Sequence, residues 1–255
     1  MTAGRALTAL ALAAALALAG SGAAAVTTAA SSPAASTPAA AEPSASASEL
    51  GPPSEAERLL FMQPQLASIH EPRTIAYDYV SEGENAPRAT DHATLTLTTA
   101  ANGRCCTAHT DYLSGPMAVN LPDLDEPQSN PVLLHFLESE VRLLERATKG
   151  QSAHFRRRIR LALADDATVA DTTVRWNGHD VAARTIRIAP FLTDPYRPRF
   201  EREAKTEYTF VLSDAVPGGL VRMTATIPGA PPANVPLARR SLAIADPQPA
   251  TPARK

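Results

Sequence analysis

VADTTVRW-NG-HDVAARTIRI, residues 169–188, is the stretch that decides the fold class. Two runs with strand character, Val169 to Trp176 and His179 to Ile188, flank the pair Asn177-Gly178. A two-residue Asn-Gly turn has the backbone twist that antiparallel strands need, so the segment reads as a hairpin. The turn also sets the register, placing Arg175 opposite Asp180 and Val174 opposite Val181. A second hairpin follows. Tyr208, Phe210 and Leu212 alternate on one strand and Val221, Met223, Ala225 and Ile227 on the other, with Pro217-Gly218 suited to a type II turn between them.

Working upstream, Ile75, Tyr77 and Tyr79 alternate with Thr74, Ala76 and Asp78, and Leu95 and Leu97 alternate with threonines over Ala93 to Thr99. Period-two alternation of this kind marks half-buried strands. Asn102-Gly103 then turns the chain into a third strand, Arg104 to Leu113, and Gly115 to Asp125 reads as a loop. Phe155, Arg157, Ile159, Leu161 and Leu163 alternate with Arg156, Arg158 and Arg160, which suits a strand, with a helix as the alternative. Asp194 to Ala204 is a charged excursion with some helical character.

The long helix is Pro131 to about Lys149. Asn130 suits its cap, Pro131 its first position and Gly150 its terminating position. At 100° per residue, Val132, Leu133, Phe136, Leu137, Leu143, Leu144 and Ala147 fall on one face, with His135, Glu138, Ser139, Arg142 and Arg146 opposite. A shorter helix begins at Ser54, where Ser54 and Glu57 fit a capping box and Pro64 argues for a break. Strands and helices do not alternate, so the predicted class is α+β. The expected architecture is a curled antiparallel sheet of six to eight strands, packed against one long amphipathic helix plus a short N-terminal helix.

The flanks read differently. Residues 1–25 have the layout of a secretory signal peptide: Arg5, an apolar run from Ala6 to Ala19, then Ala23-Ala24-Ala25 before a cleavage expected after Ala25. That run is short for a membrane span, and no second apolar run approaches spanning length. Residues 26–53 are almost all Ala, Ser, Thr and Pro, too few large side chains to offset the entropy of ordering, and read as a disordered linker. Residues 54–245 form the expected single domain and 246–255 a disordered tail. The Ala-, Pro- and Arg-rich, Lys-poor composition is associated with GC-rich bacterial genomes, which makes the expected compartment the periplasm or the medium beyond it. A net charge of −2 predicts no nucleic-acid-binding stripe.

Few residues offer chemistry. Cys105 and Cys106 are the only cysteines, in an oxidising compartment. They read as ordinary thiols or thiols oxidised by outside partners, as a vicinal disulfide, or, with His109, as ligands of a soft metal. In a regular strand neighbouring side chains point to opposite faces, so joint use of the pair requires a bulge. Glu140 falls near the middle of the long helix's apolar face. It is either half of a buried ion pair with one of Arg156 to Arg160, or an acid with a raised pKa lining a pocket. His135 and Glu138 stand one turn apart, a spacing that can ligate metal, but they lie on the expected solvated face, where Glu138–Arg142 is an ordinary pair. Arg156 to Arg158 with Arg160 form either a solvated strand face or a site for an anionic partner such as a lipid headgroup. No catalytic signature, and none calling for a cofactor, occurs: G-x-S-x-G, H-E-x-x-H, the P-loop and G-x-G-x-x-G are all missing.

The order of elements from Ile75 to Ile227 resembles that of periplasmic lipoprotein-carrier proteins, and the stretch Tyr208-Thr-Phe-Val-Leu-Ser-Asp-Ala-Val-Pro-Gly-Gly-Leu-Val-Arg222 is similar to a strand–turn–strand segment of several uncharacterised exported proteins. The resemblance implies a curled sheet closed by helices over an apolar cavity, and it carries over no site residues. The leading expectation is a non-enzymatic binding or interaction module, holding a hydrophobic small molecule or an envelope protein between the sheet and the 131–149 helix. A redox or metal-handling protein using Cys105-Cys106, and an enzyme with a cryptic site containing Glu140, are the alternatives.

Overall fold

Ser54 opens the domain with the predicted capping box. Its Oγ accepts from Glu57 N–H while the Glu57 carboxylate accepts from Ser54 N–H. The helix it starts, α1, is short: Glu55–Glu57 in α geometry, continued by a π-helical turn over Arg58–Met62 and ended before Pro64. The structure, a computed structural model, describes residues 51–84, 86–103, 105–232 and 235–245, all within one unit, Ser48–Lys255. The expected signal segment, nearly all of the linker and the tail lie outside the described residues.

Four strands come first, β1 (Arg73–Gly83), β2 (Ala86–Thr99), β3 (Cys105–Tyr112) and the two-residue β4 (Leu124–Asp125). Helices α2 (Val132–Thr148) and α3 (Ser152–Asp165) follow, then β5 (Thr168–Trp176), β6 (His179–Ile188), β7 (Glu207–Leu212), β8 (Leu220–Ile227) and β9 (Ala238–Ile244). The nine strands among the described residues join one open antiparallel sheet in the order β4-β3-β2-β1-β9-β8-β7-β6-β5. The sheet is therefore two four-stranded meanders joined by β9. The 169–188 hairpin has its predicted register, Arg175 opposite Asp180 and Val174 opposite Val181. The 3₁₀ turns Arg197–Arg199 and Glu203–Lys205 supply the helical character of the charged excursion.

Strands β4 and β5 are neighbours in sequence but sit at opposite edges of the sheet. The chain between them must cross the sheet, and α2 and α3 make that crossing. Helix α2 packs on β3 and β8, α3 packs on β6, and the two helices pack on each other. Ile75, Tyr77, Tyr79, Leu95, Leu97, Tyr208, Phe210 and Met223 meet Leu133, Phe136, Leu144, Phe155 and Ile159 in one buried core.

Several expectations change. The sheet has nine strands, not six to eight, because β4 and β9 add to those read from the sequence. Residues 155–163 are helical, not a strand. Phe155, Ile159, Ala162 and Leu163 are the buried side chains of α3, and spacings of four, seven and eight are a helical stripe that outweighs the alternation with arginine. Helix α2 buries a wider face than expected: His135 and Ser139 are buried along with Glu140, while Ala147, expected on the apolar face, is exposed.

The end of α2 also differs. Lys149, with φ 57°, takes the left-handed position expected of Gly150. Gly150 serves a different constraint, since a Cβ there would lie 2.7 Å from the Phe155 ring. That ring is locked edge-on against Phe191 and Phe200 at centroid distances of 5.8 Å, so it has little room to retreat. Gly150→Ala is accordingly expected to cost about 1–3 kcal/mol, the usual range for overpacking a closed core, read from urea denaturation. An unchanged midpoint would show that the ring can move.

Candidate functional site

Glu140 is buried to 1 % side-chain exposure in the middle of the domain, as its wheel position predicted. Its partner is not among Arg156 to Arg160. Arg240 of β9 holds it in a two-pronged pair, Nε donating to Oε1 at 2.7 Å and Nη2 to Oε2 at 2.6 Å. Burial alone would favour neutral arginine, but the charge and hydrogen bonds of Glu140 override it and hold the Arg240 pKa above its ordinary value. Tyrosines surround the pair. Burial, then the Glu140 charge, pushes Tyr79 up to about 12, and the same causes raise Tyr208. Tyr112 is raised by burial, against its 3.3 Å contact with Ser139 Oγ. Each hydroxyl thus stays neutral. Glu140 is locked to an arginine inside packed core, which removes it as the acid of a pocket.

His135 is also buried, not solvated. Its Nδ1–H donates to Pro131 O at 3.0 Å, its ring stacks on Tyr112 at 5.8 Å, and Nε2 has no partner among the described residues. Glu138, one turn on, is taken up by arginines, accepting from Arg142 Nε at 3.2 Å and from Arg156 Nε and Nη2 at 3.0 and 2.8 Å. The Arg156 bonds hold the Glu138 carboxyl below its ordinary value, against partial burial. His135 and Glu138 therefore share no ligand position.

The apolar surface that remains open lies at the edge of the core, where buried Val141, Ile159 and Leu163 form its floor. Phe61 of α1, Leu121, Leu134, Leu137 and Val141 of α2, and Ile159 and Leu163 of α3 line a groove of about 460 Å³, with Glu57, Glu138, Arg156 and Arg160 at its polar margin. Leu134 is 43 % exposed, a large apolar side chain left open to solvent in the groove wall. Arg160 is exposed and makes no ion pair among the described residues. Arg158 points elsewhere: it donates to Pro190 O and Thr193 Oγ1, both at 3.1 Å, and lies 3.4 Å from Asp194 Oδ2. Of the two expected arginines, only Arg160 reaches the groove. Sequence reading missed the groove because its walls come from four separated segments. The one local signal was Leu134 and Leu137 widening the apolar stripe of α2.

Cys105 and Cys106 start β3 beside a register shift opposite Thr98 and Thr99, the bulge that shared use of the pair requires. A disulfide joins them across a cis peptide bond. The pair lines a smaller pocket, about 220 Å³, with Leu66, Ile69, His70 and Gln128. His109 does not join them. Its Nδ1 lies 2.6 Å from Asp123 and its Nε2 3.2 Å from Asp111, and these hydrogen bonds raise its pKa above 6.5. Among the described residues no group of three or more His, Cys, Asp or Glu side chains is arranged to hold a metal.

No protein-family model matches the chain, and neither does any curated protein. Solved structures do. The lipoprotein LppX of Mycobacterium tuberculosis aligns over 68 % of this chain and 84 % of its own, at 13 % identity and a TM-score of 0.29. The MucA/MucB complex of Pseudomonas aeruginosa aligns over 69 % of this chain and 54 % of that one, at 13 % identity and a TM-score of 0.25. A LolA superfamily protein of Nitrosomonas europaea aligns over 75 % and 88 %, at 8 % identity and a TM-score of 0.20. At TM-scores this low the likenesses carry no argument about the site.

Two outcomes follow from the buried groups. Glu140→Gln strands the Arg240 charge and is expected to lose about 3–5 kcal/mol in urea denaturation, whereas Glu140→Leu with Arg240→Met loses far less. Equal losses would show that the pairing itself is not what matters. For His135, burial lowers the folded-state pKa below 6.5, so the unfolded chain binds the extra proton. Its contribution is complete above pH 6.5 and is lost as pH falls through the lowered value. His109 has the opposite sign, its contribution present below 6.5 and fading as pH rises through its raised value. Stability measured between pH 5 and 8 should fall less steeply on the acid side for His135→Gln, an unchanged slope counting against a buried neutral imidazole.

Proposed function

We propose that this chain is an exported, non-enzymatic binding protein and that the groove between α1, α2 and α3 holds an amphiphile, with the apolar chain along Phe61, Leu134, Leu137 and Val141 and an anionic head at Arg160. The carrying observation is the groove itself. It is apolar along its length, it has at its margin one cation, Arg160, that makes no ion pair among the described residues, and its volume of about 460 Å³ falls within the range of about 300–1,000 Å³ usual for small-molecule sites. The space first expected to hold the ligand, between sheet and α2, is occupied by Tyr77, Phe136, Tyr208, Phe210 and the Glu140–Arg240 pair. The signal-like pattern over residues 1–25 supports a site of action in the envelope, with cleavage after Ala25. No helix among the described residues is long and apolar enough to cross a membrane.

Titration with a fluorescent fatty acid tests the reading. Saturable uptake is expected, weakened at least about tenfold by Leu134→Asp with Leu137→Asp, and less by Arg160→Glu. Leu134 is already exposed, so loss of binding with an unchanged melting transition would be specific to the groove. No uptake, together with no lipid mass in the native protein, would sink the proposal.

The Cys105–Cys106 disulfide beside the His70 pocket favours a second reading, a redox protein using that pair. Periplasmic material should then titrate no free thiol until reduced, and two afterwards. Full function in a Cys105→Ser, Cys106→Ser variant would dispose of this reading.

A further inference from the structure

Where α2 turns into α3, Thr148 to Gln151 and the first turn of α3 face residues 196–200 across a cavity of about 560 Å³. Among the described residues its charged lining has one sign: Lys149 and Arg199 face it, with the His154 imidazole and no carboxylate. The groove described above differs, since Glu57 and Glu138 sit among its cations. Phe155, Tyr196 and Phe200 supply the rest of the wall.

The histidine is held in place. Asp194 is fully buried, and its Oδ2 lies 2.7 Å from His154 Nε2. A carboxylate only accepts, so Nε2 carries the hydrogen and Nδ1 is left for something else. Nδ1 has no partner among the described residues. Asp194 is itself fixed by Tyr196 N–H at 2.8 Å and by Arg158 Nε at 3.4 Å, so Arg158 offsets the buried charge. The imidazole stands edge-on to Phe155 and Tyr196 at 5.6 and 5.5 Å, and the Arg199 guanidinium lies over the Tyr196 ring at 5.3 Å. A buried carboxylate that orients a histidine towards a cavity is the way a polar group is aimed at a ligand.

We propose that this cavity is a second binding site, for an aryl anion: a ring packed on exposed Tyr196 over the rim of the Phe155–Phe200 core, its phosphate or carboxylate between Lys149 and Arg199, with His154 Nδ1 bonding a polar atom of the ligand. The site stands independently of the α1–α2–α3 groove.

Calorimetric and NMR titration of the purified chain with phenyl phosphate tests it, with inorganic phosphate and benzyl alcohol as the ringless and uncharged comparisons. Phenyl phosphate should saturate one site, bind at least about tenfold more tightly than either comparison, and move the His154 and Tyr196 resonances. Lys149→Asn with Arg199→Gln should weaken it at least about tenfold; both side chains are exposed, and asparagine suits the left-handed backbone at 149. Benzoate binding as tightly as phenyl phosphate would assign the head to carboxylates as well. Arg160→Glu should leave the titration unchanged, so failure here and failure of the groove are distinguishable. Absence of saturable binding, equal binding of either comparison compound, or undiminished binding in the double variant would overturn the proposal.

Discussion

The Glu140–Arg240 pair is the constraint on which the domain depends. Strand β9 is the joint between the two meanders, and Arg240 is its most buried residue after Leu242. Its guanidinium meets Glu140 with both prongs, which fixes the rotation of α2 and the register of β9 together. A one-residue slip of β9 would turn Arg240 to the opposite face and leave Glu140 uncompensated in the core. Replacing a buried pair by apolar residues is often neutral or stabilising, so the pair matters here for position more than for net stability.

That position has a consequence for binding. With α2 pinned to the middle strand and tyrosines packed around the pair, the space between sheet and helix is filled. A ligand held between a curled sheet and its helix, the expectation drawn from the element order, has no room there. The open apolar surface instead lies where α1, α2 and α3 meet, on the side of α2 away from the sheet. The same helices thus close the core with one face and offer a groove with the other.

Much of this was legible in the sequence because it depends on local chemistry. Asn177-Gly178 sets a hairpin register, Ser54 and Glu57 make a capping box, and the wheel places Glu140 in the core. What was not legible depends on distance or on two periods in conflict. Glu140 and Arg240 are 100 residues apart, so nearby arginines stood in for the true partner. Strand β9 was hidden because its inward positions are Arg240 and Leu242, and an arginine at the centre of a short strand erases the apolar alternation. In α3, arginines interleaved with apolar residues satisfy a period of two as well as a helical one, and only packing on β6 and α2 decides between them. The Cys105–Cys106 pair needed a bulge that no spacing rule announces.

The most direct test of the account is hydrogen exchange of the purified chain with and without a bound fatty acid. Protection confined to α1, α2, α3 and the Leu121 segment, with the amides of β1, β8 and β9 unchanged, is the predicted result. New protection or deprotection in those central strands would mean that the ligand enters between sheet and helix, and would contradict a closed core pinned by Glu140 and Arg240.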